Sequence, residues 1–516
     1  MNSSRLCMVK KFFGAHKLSG ASCHRLQCDL PIPSPRAVGR GSGSGVRSLE
    51  CGCVKLRPKL ALAAFLLLLL AARNAPAAAK VFNVLDSGAA GDGVALDTAA
   101  IQRTIDAAAR AGGGAQVLLP GGRSYLVSTL QLRGGIDFHL DGQLLISTNR
   151  ADYQGEGVIT ALNADHLQIS GGGSINGRSL SFMTRYDATG EWWLFAPWRP
   201  KMFILTGCTN LEIRDITFGD APYWGLHMLG CKNVLVDHLT VTNRLDVPNC
   251  DGIDPDHCQD MEIRNCHVVS GDDCIVVKTS RQSQDYGPCA NITVSNCVLE
   301  TQDSGVKIGT ETTSDIHDIT FVRCHILTSS RGLTIQLRDE GSVYRVRFQD
   351  IQFISRYYSE PWWGRGEAIS LTAIPRTPAT KLGALHDITI QNVTGRAENS
   401  VRIQGTPAGP VHDVLLDSVD VTLSRWTKYP GGLFDNRPSG VLEQIETHGT
   451  PGFSIRDAHD ITLKNCAVRW DSTTPDHYIP AYFSNALEAD NTHALRMTGF
   501  KGEAAHPDRD QAVVIH

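Results

Sequence analysis

From about residue 200 the chain alternates short apolar strands with polar corners. The phrases "CTNLEIRDITFG", "CKNVLVDHLTVTN", "CQDMEIRNCHVVSG", "CANITVSNCVLETQ", "IHDITFVRCHILTS", "VYRVRFQDIQFIS", "LHDITIQNVTGRAEN", "VHDVLLDSVDVTLS" and "AHDITLKNCAVRWD" share one form. Each has a polar turn, a strand of period two, a corner containing Asn, Asp or Arg, and a second short strand. Cys208, Cys231 and Cys258 open successive phrases at a nearly constant interval, which later loops stretch. So short a unit cannot bury its own apolar face and must stack on its neighbours, and short strands with polar corners stack as a parallel β-helix. Leucine-rich repeats have a similar period, but their Leu/Asn signature is absent. Ahead of the repeats, "FNVLDSGAAGDGVALDTAAIQRTIDAAARAGGGAQVLLPGG" reads as strand, Gly-rich turn, helix and strand. Asp97-Thr98 offers an N-cap, Ile101, Ile105 and Ala108 form the apolar stripe, and Gly112-Gly113-Gly114 ends the helix. This helix is expected to cap the open end of the solenoid.

Composition adds compartment rather than fold. The 516 residues carry 49 Lys+Arg against 53 Asp+Glu, a balance that points to neither nucleic acid nor an acidic membrane surface. Residues 54–79 read as a signal peptide, with an apolar run from Leu60 to Ala72 and a small-residue cleavage site near Ala79. The run is short for a membrane span, so the expected location is secreted or periplasmic, with no membrane association after cleavage. Residues 1–53, rich in Arg, Gly and Ser, read as a mis-assigned start, with translation beginning near Val54. The other reading is a cytoplasmic tail on an uncleaved anchor. Residues 80–516 then form a single β-helix catalytic domain that acts as a monomer. Cys266, Cys297, Cys324 and Cys466 fall inside apolar alternations and read as small core residues. No C-x-x-C pair follows the leader, which argues against a structural zinc; no metal and no cofactor is expected.

Candidate chemistry gathers in "NCDGIDPDHCQDMEIRNCHVVSGDDCIVVK", residues 249–278. Asp251 and Asp272 are close to one coil apart, so they are expected on adjacent rungs at nearly the same point of the circumference. Asp273 follows at once, and strand neighbours face opposite ways. Both aspartates can face solvent only if the backbone bends at Gly271-Asp272-Asp273, which Gly271 permits. Three carboxylates in an outer groove repel one another, so one holds its proton to higher pH. A protonated acid for the leaving oxygen and an ionised carboxylate to activate water are what hydrolysis of a glycosidic bond requires. Asp215, Asp318 and Asp350 have the simpler reading of residues that satisfy corner backbone groups.

"NCDGID", "SGDDCIVVK", the upstream "DAPYWGLH" and the N-terminal "GAAGDGVALDTAAIQRTID" resemble glycoside hydrolase family 28, the polygalacturonase family of pectin-cleaving enzymes. The similarity runs from about residue 81 to 425 and beyond. The resemblance implies an all-β fold, a right-handed parallel β-helix, and an inverting, metal-free mechanism. It assigns Asp272 as general acid and Asp251 and Asp273 as the pair that positions and deprotonates water, with Asn249 beside them as a substrate contact. Inversion is expected to need carboxyls roughly 6.5–9.5 Å apart. Asp254 and Asp256 have no catalytic counterpart and read as corner residues or as supports.

Two family elements are missing. Where the family has Gly-His-Gly the chain reads "DSGVKIGTET", with Ser304 in the histidine's place. The family's Arg-Ile-Lys aligns with Thr334-Ile335-Gln336 in "RGLTIQLRDEG". A carboxylate bound without a cationic partner is unfavourable, which disfavours galacturonate at the scissile position and points to the rhamnose- or modified-galacturonan side of the family. Lys307, Arg331 and Arg338 are the substitute cations on the same coils, and Ser304 and Gln336 remain as polar contacts. Lys307 alternates with Val306 and Ile308 and is expected to point outward. Trp362 and Trp363, in "RYYSEPWWGRGEAIS", are expected to stack on sugar rings, with Glu367 hydrogen-bonding hydroxyls. "EWWLFAPWRP", with Trp192, Trp193 and Trp198, forms an opposite wall or packs the lip. The expected partner is a pectic polysaccharide or oligosaccharide. The rivals are a calcium-dependent lyase on the same fold and a noncatalytic carbohydrate-binding solenoid.

Overall fold

The computed structural model describes residues 79–516, apart from 408 and 410. The readings of residues 1–53 and of the signal peptide lie outside the described residues. From there on the chain winds into a right-handed parallel β-helix built of three strand ladders. The first ladder runs from Gly157–Leu162 through Lys201–Thr206, Leu226–Leu229, Ile253–Asp256, Ile275–Thr279, Ser304–Thr312, Arg331–Leu337 and Glu367–Ala373 to Asn399–Gln404. The other two carry the paired strands of each repeated phrase.

The polar corners are where the repeat predicts them. Asn210, Asn233, Asp260, Asn291, Asp318, Asp387, Asp413 and Asp460 have positive φ, and so do Asp215, Asn265, Asn296, Asp350, Asn392 and Asn465 at the following corner of their coils. Asn and Asp tolerate the left-handed conformation better than other side chains, which is why the corners recur as these types. Between corners, alternate residues point inward, and Ile253, Ile275, Val306, Leu333, Ile369 and Val401 form one continuous core column. Among the described residues the ten cysteines are buried and unpaired. Cys266, Cys297, Cys324 and Cys466 lie in the core as expected, and Cys208, Cys231, Cys258 and Cys289 stand on successive coils. Outside, His317, Tyr344, His386, His412 and His459 stack at 4.8–5.2 Å, the spacing that the strands impose.

The helix Thr98–Ala111 covers the N-terminal end, burying Ala100, Ile101, Thr104, Ile105 and Ala108. Asp97 does not cap it by its side chain. Its carboxylate instead accepts the Ala90 and Gly91 amides at 2.6 and 3.0 Å, pinning the preceding Gly-rich turn.

Three excursions leave the solenoid and meet over the first ladder. An antiparallel hairpin, Met183–Asp187 with Trp192–Phe195, runs along one side. The loop 356–366 rises from the coil after Ser355. A strap, 425–447, carries a second hairpin, Leu433–Asp435 with Ile445–Thr447. They are fastened to one another: Ser359 Oγ donates to Gly190 O at 2.7 Å, Lys428 and Tyr429 both bind Glu191, and Arg437 Nη2 donates to Trp362 O at 2.8 Å. Beneath the strap, outward-facing Thr334, Gln336, Ser370, Thr372 and Arg402 are buried. The groove floor is therefore roofed on the C-terminal side.

Candidate active site

Register sets the site. Ile253 pairs with Ile275, Ile275 with Val306, and Ser304 with Arg331. Asp251 is thus level with Asp273, not with Asp272, because the coil is one residue longer than the separation of Asp251 from Asp272. Asp251, Asp273, Ser304, Arg331, Glu367 and Asn399 form one column at the entrance to the ladder. Asp272 sits one residue earlier, in the bend before Ile275–Thr279, and is the most solvent-accessible of the three aspartates. Gly271 serves this bend by its size: a Cβ there would lie 2.3 Å from Val247 O and 2.7 Å from Arg244 O.

One carboxyl oxygen from each of Asp251, Asp272 and Asp273 lies within 4.8 Å of the others. These oxygens are closer than the roughly 6.5–9.5 Å expected between carboxyls for inversion, because Asp273 is one coil from Asp251 and adjoins Asp272 in the chain. The three carboxyls differ in their surroundings. Lys307 Nζ donates to Asp273 Oδ2 at 2.7 Å. Lys278 Nζ lies 2.8 Å from Asp254 Oδ1 and 3.7 Å from Asp251 Oδ2. Among the described residues no cation is within ion-pair distance of Asp272. It accepts instead from the Asn249 amide at 3.1 Å and the Asp273 amide at 3.0 Å. Asn249 is held in the left-handed conformation, φ 58°, and its side chain accepts from Arg199 Nη2 at 3.0 Å.

Burial raises all three carboxyls. Asp251 is pushed well up by burial, then by Asp254 and Asp272. Burial and then Asp303 push Asp272 up to about 6. Burial also raises Asp273, with Lys307 first among the opposing influences. Burial alone would lower Lys307, but Asp273, Asp303 and Asp272 outweigh it and hold the ammonium above its usual range. Lys307 in direct contact favours ionised Asp273 against the burial that raises it, whereas Asp272 has no cation partner, so Asp272 is the carboxyl placed to carry a proton. The sign of the pH dependence follows: protonated Asp272 is abundant below about pH 6 and is lost as pH rises through that value. We expect kcat/KM on a cleaved oligosaccharide to fall above an apparent pKa near 6, approaching tenfold per pH unit. A profile flat from pH 5 to 8 would contradict the assignment.

These groups line a cavity of ≈ 230 Å³ walled by Trp192, Trp224, Pro361, Trp362 and Trp363. Trp362 is buried, edge-on to Trp192 at 5.5 Å, so it is a structural part of the wall rather than the exposed platform expected, whereas Trp363 is half-exposed. Trp193 and Trp198 pack the lip: Trp193 Nε1 donates to Asp246, and Trp198 sits on Tyr153 and Phe182. The family model described as glycosyl hydrolases family 28 matches residues 112–429. The chain belongs to this family. It is a glycosidase, and the family's substrates are pectic polysaccharides. An exopolygalacturonase of Zea mays is 25% identical over 362 residues, covering 66% of this chain and 84% of the maize protein. The family 28 exopolygalacturonase of Yersinia enterocolitica superposes with TM-score 0.62 at 18% identity, covering 81% of this chain and 78% of that one. An exopolygalacturonase of Thermotoga maritima gives 0.55 at 18% identity, covering 77% and 93%.

Within this family 28 enzyme, Asn249 and Lys307 join the aspartates around the cavity, and Lys307 projects outward as its alternation predicts. Ser304 is fully buried and does not line the cavity; its amide is 3.3 Å from Asp273 Oδ1. Arg331, Gln336, Arg338 and Glu367 are not in the cavity. They lie fully buried under the strap and the 356–366 loop, where Gln336 Nε2 donates to Arg437 O and Arg331 faces Asp303, Glu367 and Asp435 at 3.5–3.9 Å. Asp254 and Asp256 are not at corners. Both are buried in the strand Ile253–Asp256, Asp254 inside it holding Lys278 and Asp256 at its end holding His227 at 3.2 Å. Sequence reasoning missed Lys278, Asp303, Glu311 and Trp224. Lys278 and Trp224 sat inside quoted motifs, and Lys278 follows the same outward alternation that exposed Lys307.

Proposed function

We propose that the chain is an exported, inverting glycoside hydrolase that attacks the end of a pectic chain. Asp272 protonates the leaving oxygen. Asp251 and Asp273 hold the attacking water, and one water can bridge two oxygens that lie within 4.8 Å of each other, since each hydrogen bond spans about 2.8 Å. Lys307, in contact with Asp273, and Lys278, 3.7 Å from Asp251, favour the charged form of that pair against burial. The observation that carries the reading is the contrast among the three carboxyls: two are held by lysines, and the third, without a cation, faces an aromatic-walled cavity. Attack from the chain end is supported by the roof over the groove floor beyond residue 331, which leaves a polysaccharide no path along the ladder on that side. A retaining mechanism, with one aspartate as nucleophile, is the second reading, favoured by the short carboxyl spacing.

The test is hydrolysis of homogalacturonan, rhamnogalacturonan and rhamnosyl oligosaccharides, with the first-formed product anomer read by NMR. Inverted anomer and small products without an early fall in viscosity are expected. A retained anomer would establish the second reading, and a rapid viscosity drop would exclude end attack. Because lysine ammoniums stand beside Asp251 and Asp273, activity is expected to be unchanged after treatment with excess chelator. Loss of activity that calcium restores, with unsaturated products absorbing in the ultraviolet, would indicate a lyase instead.

A further inference from the structure

The cavity is lined by a fourth aspartate, which raises the Asp272 carboxyl but has no direct part in the proposed proton transfers. Asp303 is 3% exposed and lines the cavity, one residue before Ser304 and one coil beyond Asp272. Its position is built: its amide donates to Thr301 Oγ1 at 2.9 Å, and its carboxyl accepts from Ser304 Oγ at 2.9 Å. Its carbonyl receives the Ser330 amide at 2.7 Å, and Arg331 Nη1 approaches Oδ1 from behind at 3.6 Å. Glu311 adds a further carboxylate to the same lining.

The charges around the cavity do not balance towards an anion. Asp251, Asp272, Asp273, Asp303 and Glu311 line it, against Lys278 and Lys307. Both ammoniums are already engaged, Lys278 with Asp254 and Lys307 with Asp273. Arg331, which faces Asp303, is sealed beneath the loop and strap. Among the described residues, no cation lining the cavity is without a carboxylate partner. A sugar carboxylate placed here would meet carboxylates at short range in a partly desolvated site, where repulsion is strong. A sugar hydroxyl would be welcome, because the carboxylates are acceptors only. One is waiting: Asp251 Oδ1 is buried against the cavity with no hydrogen-bond partner. Trp224 and Trp363 supply flat apolar faces for the ring.

We propose that Asp303 is a specificity-determining residue that makes this cavity a site for a neutral sugar and excludes a uronate. The proposal rests on the glycosidase reading for the location of the site, and it predicts a preference that can be measured without turnover. The experiment is calorimetric titration of the Asp272→Asn protein with trigalacturonate and with its carboxyl-reduced analogue, which has the same linkages and no carboxylates. The reduced trisaccharide should bind at least ~10-fold more tightly, and added salt should narrow the gap by improving the anionic ligand. Introducing Asp303→Asn in the same background should shrink the preference to under ~3-fold, mainly by strengthening trigalacturonate binding. Asp303→Ser serves as the second variant should Asn perturb the bend, with circular dichroism as the folding control.

Equal or tighter binding of trigalacturonate, or a preference untouched by both Asp303 variants, would overturn the proposal. Preferential binding of the neutral ligand, combined with no hydrolysis of any pectic oligosaccharide by the wild-type enzyme, would sink the hydrolase reading and leave the specificity assignment standing.

Discussion

Asp272→Asn folds normally and loses about 10²–10⁴-fold in kcat, with KM little changed. The amide fills the same space and can still meet the Asn249 and Asp273 amides, but it has no proton of suitable acidity for the leaving oxygen. A second readout separates the catalytic role from a structural one. The folded-state pKa of Asp272 is raised from 3.8 to about 6, so its contribution to stability is fully present below the unfolded value and is lost as pH rises through 6. Removing the titrating group should therefore stabilise the protein at pH 8, by on the order of 1–3 kcal/mol after allowance for solvent screening, and leave it unchanged near pH 3.5. Steady-state kinetics and melting curves at the two pH values check both. Near wild-type turnover would remove Asp272 from the role of acid, and equal melting shifts at both pH values would remove its raised pKa.

Lys307→Met should be the most damaging change to the site's architecture. The side chain is 4% exposed and its ammonium is 2.7 Å from Asp273 Oδ2, so its loss leaves a buried carboxylate without its partner. Breaking such a pair from one side typically destabilises by about 3–5 kcal/mol, unless the carboxylate takes up a proton. Either response is harmful here: the first lowers stability, and the second neutralises the group that holds the attacking water. The double variant Lys307→Met/Asp273→Asn separates them. It should recover much of the lost stability in denaturant unfolding and none of the activity. If the double variant is as unstable as Lys307→Met, the pair is not what holds this part of the site.

The repeat was legible because it rests on local rules. A period-two strand, a corner that favours Asn or Asp, and a coil too short to bury itself leave few alternatives to stacking, and the corners and core column follow the sequence closely. The three catalytic candidates were legible for the same reason, since residues one coil apart must be near neighbours. What was not legible is finer than one residue. The strand register closes the coil that starts at Asp251 on Asp273, so these two pair and Asp272 stands apart. That single step decides which carboxyl receives Lys307 and which is left without a cation.

The long-range excursions were the other blind spot. Gln336 and Arg338 alternate with the core residues Ile335 and Leu337 and so face outward, whereas Arg331 and Glu367 stand level with each other at the entrance to the ladder; all four read as substrate contacts from the sequence. In the structure they lie outside the cavity, because a strap from much later in the chain folds back over them: Gln336 donates to Arg437 O and Arg331 faces Asp435. Trp362 is buried for a similar reason: Trp192, from a hairpin far earlier in the chain, closes on it.

By itself, then, the sequence determined the solenoid, its corners, its capping helix and the meeting of three aspartates on adjacent coils. These follow from backbone periodicity and from residue preferences that act within one repeat. The tertiary structure alone decided the register that singles out Asp272, the closure of the groove and the charge balance that brings Asp303 to the cavity floor. Those depend on strand alignment and on contacts between segments far apart in the chain, where no local pattern of residues carries the information.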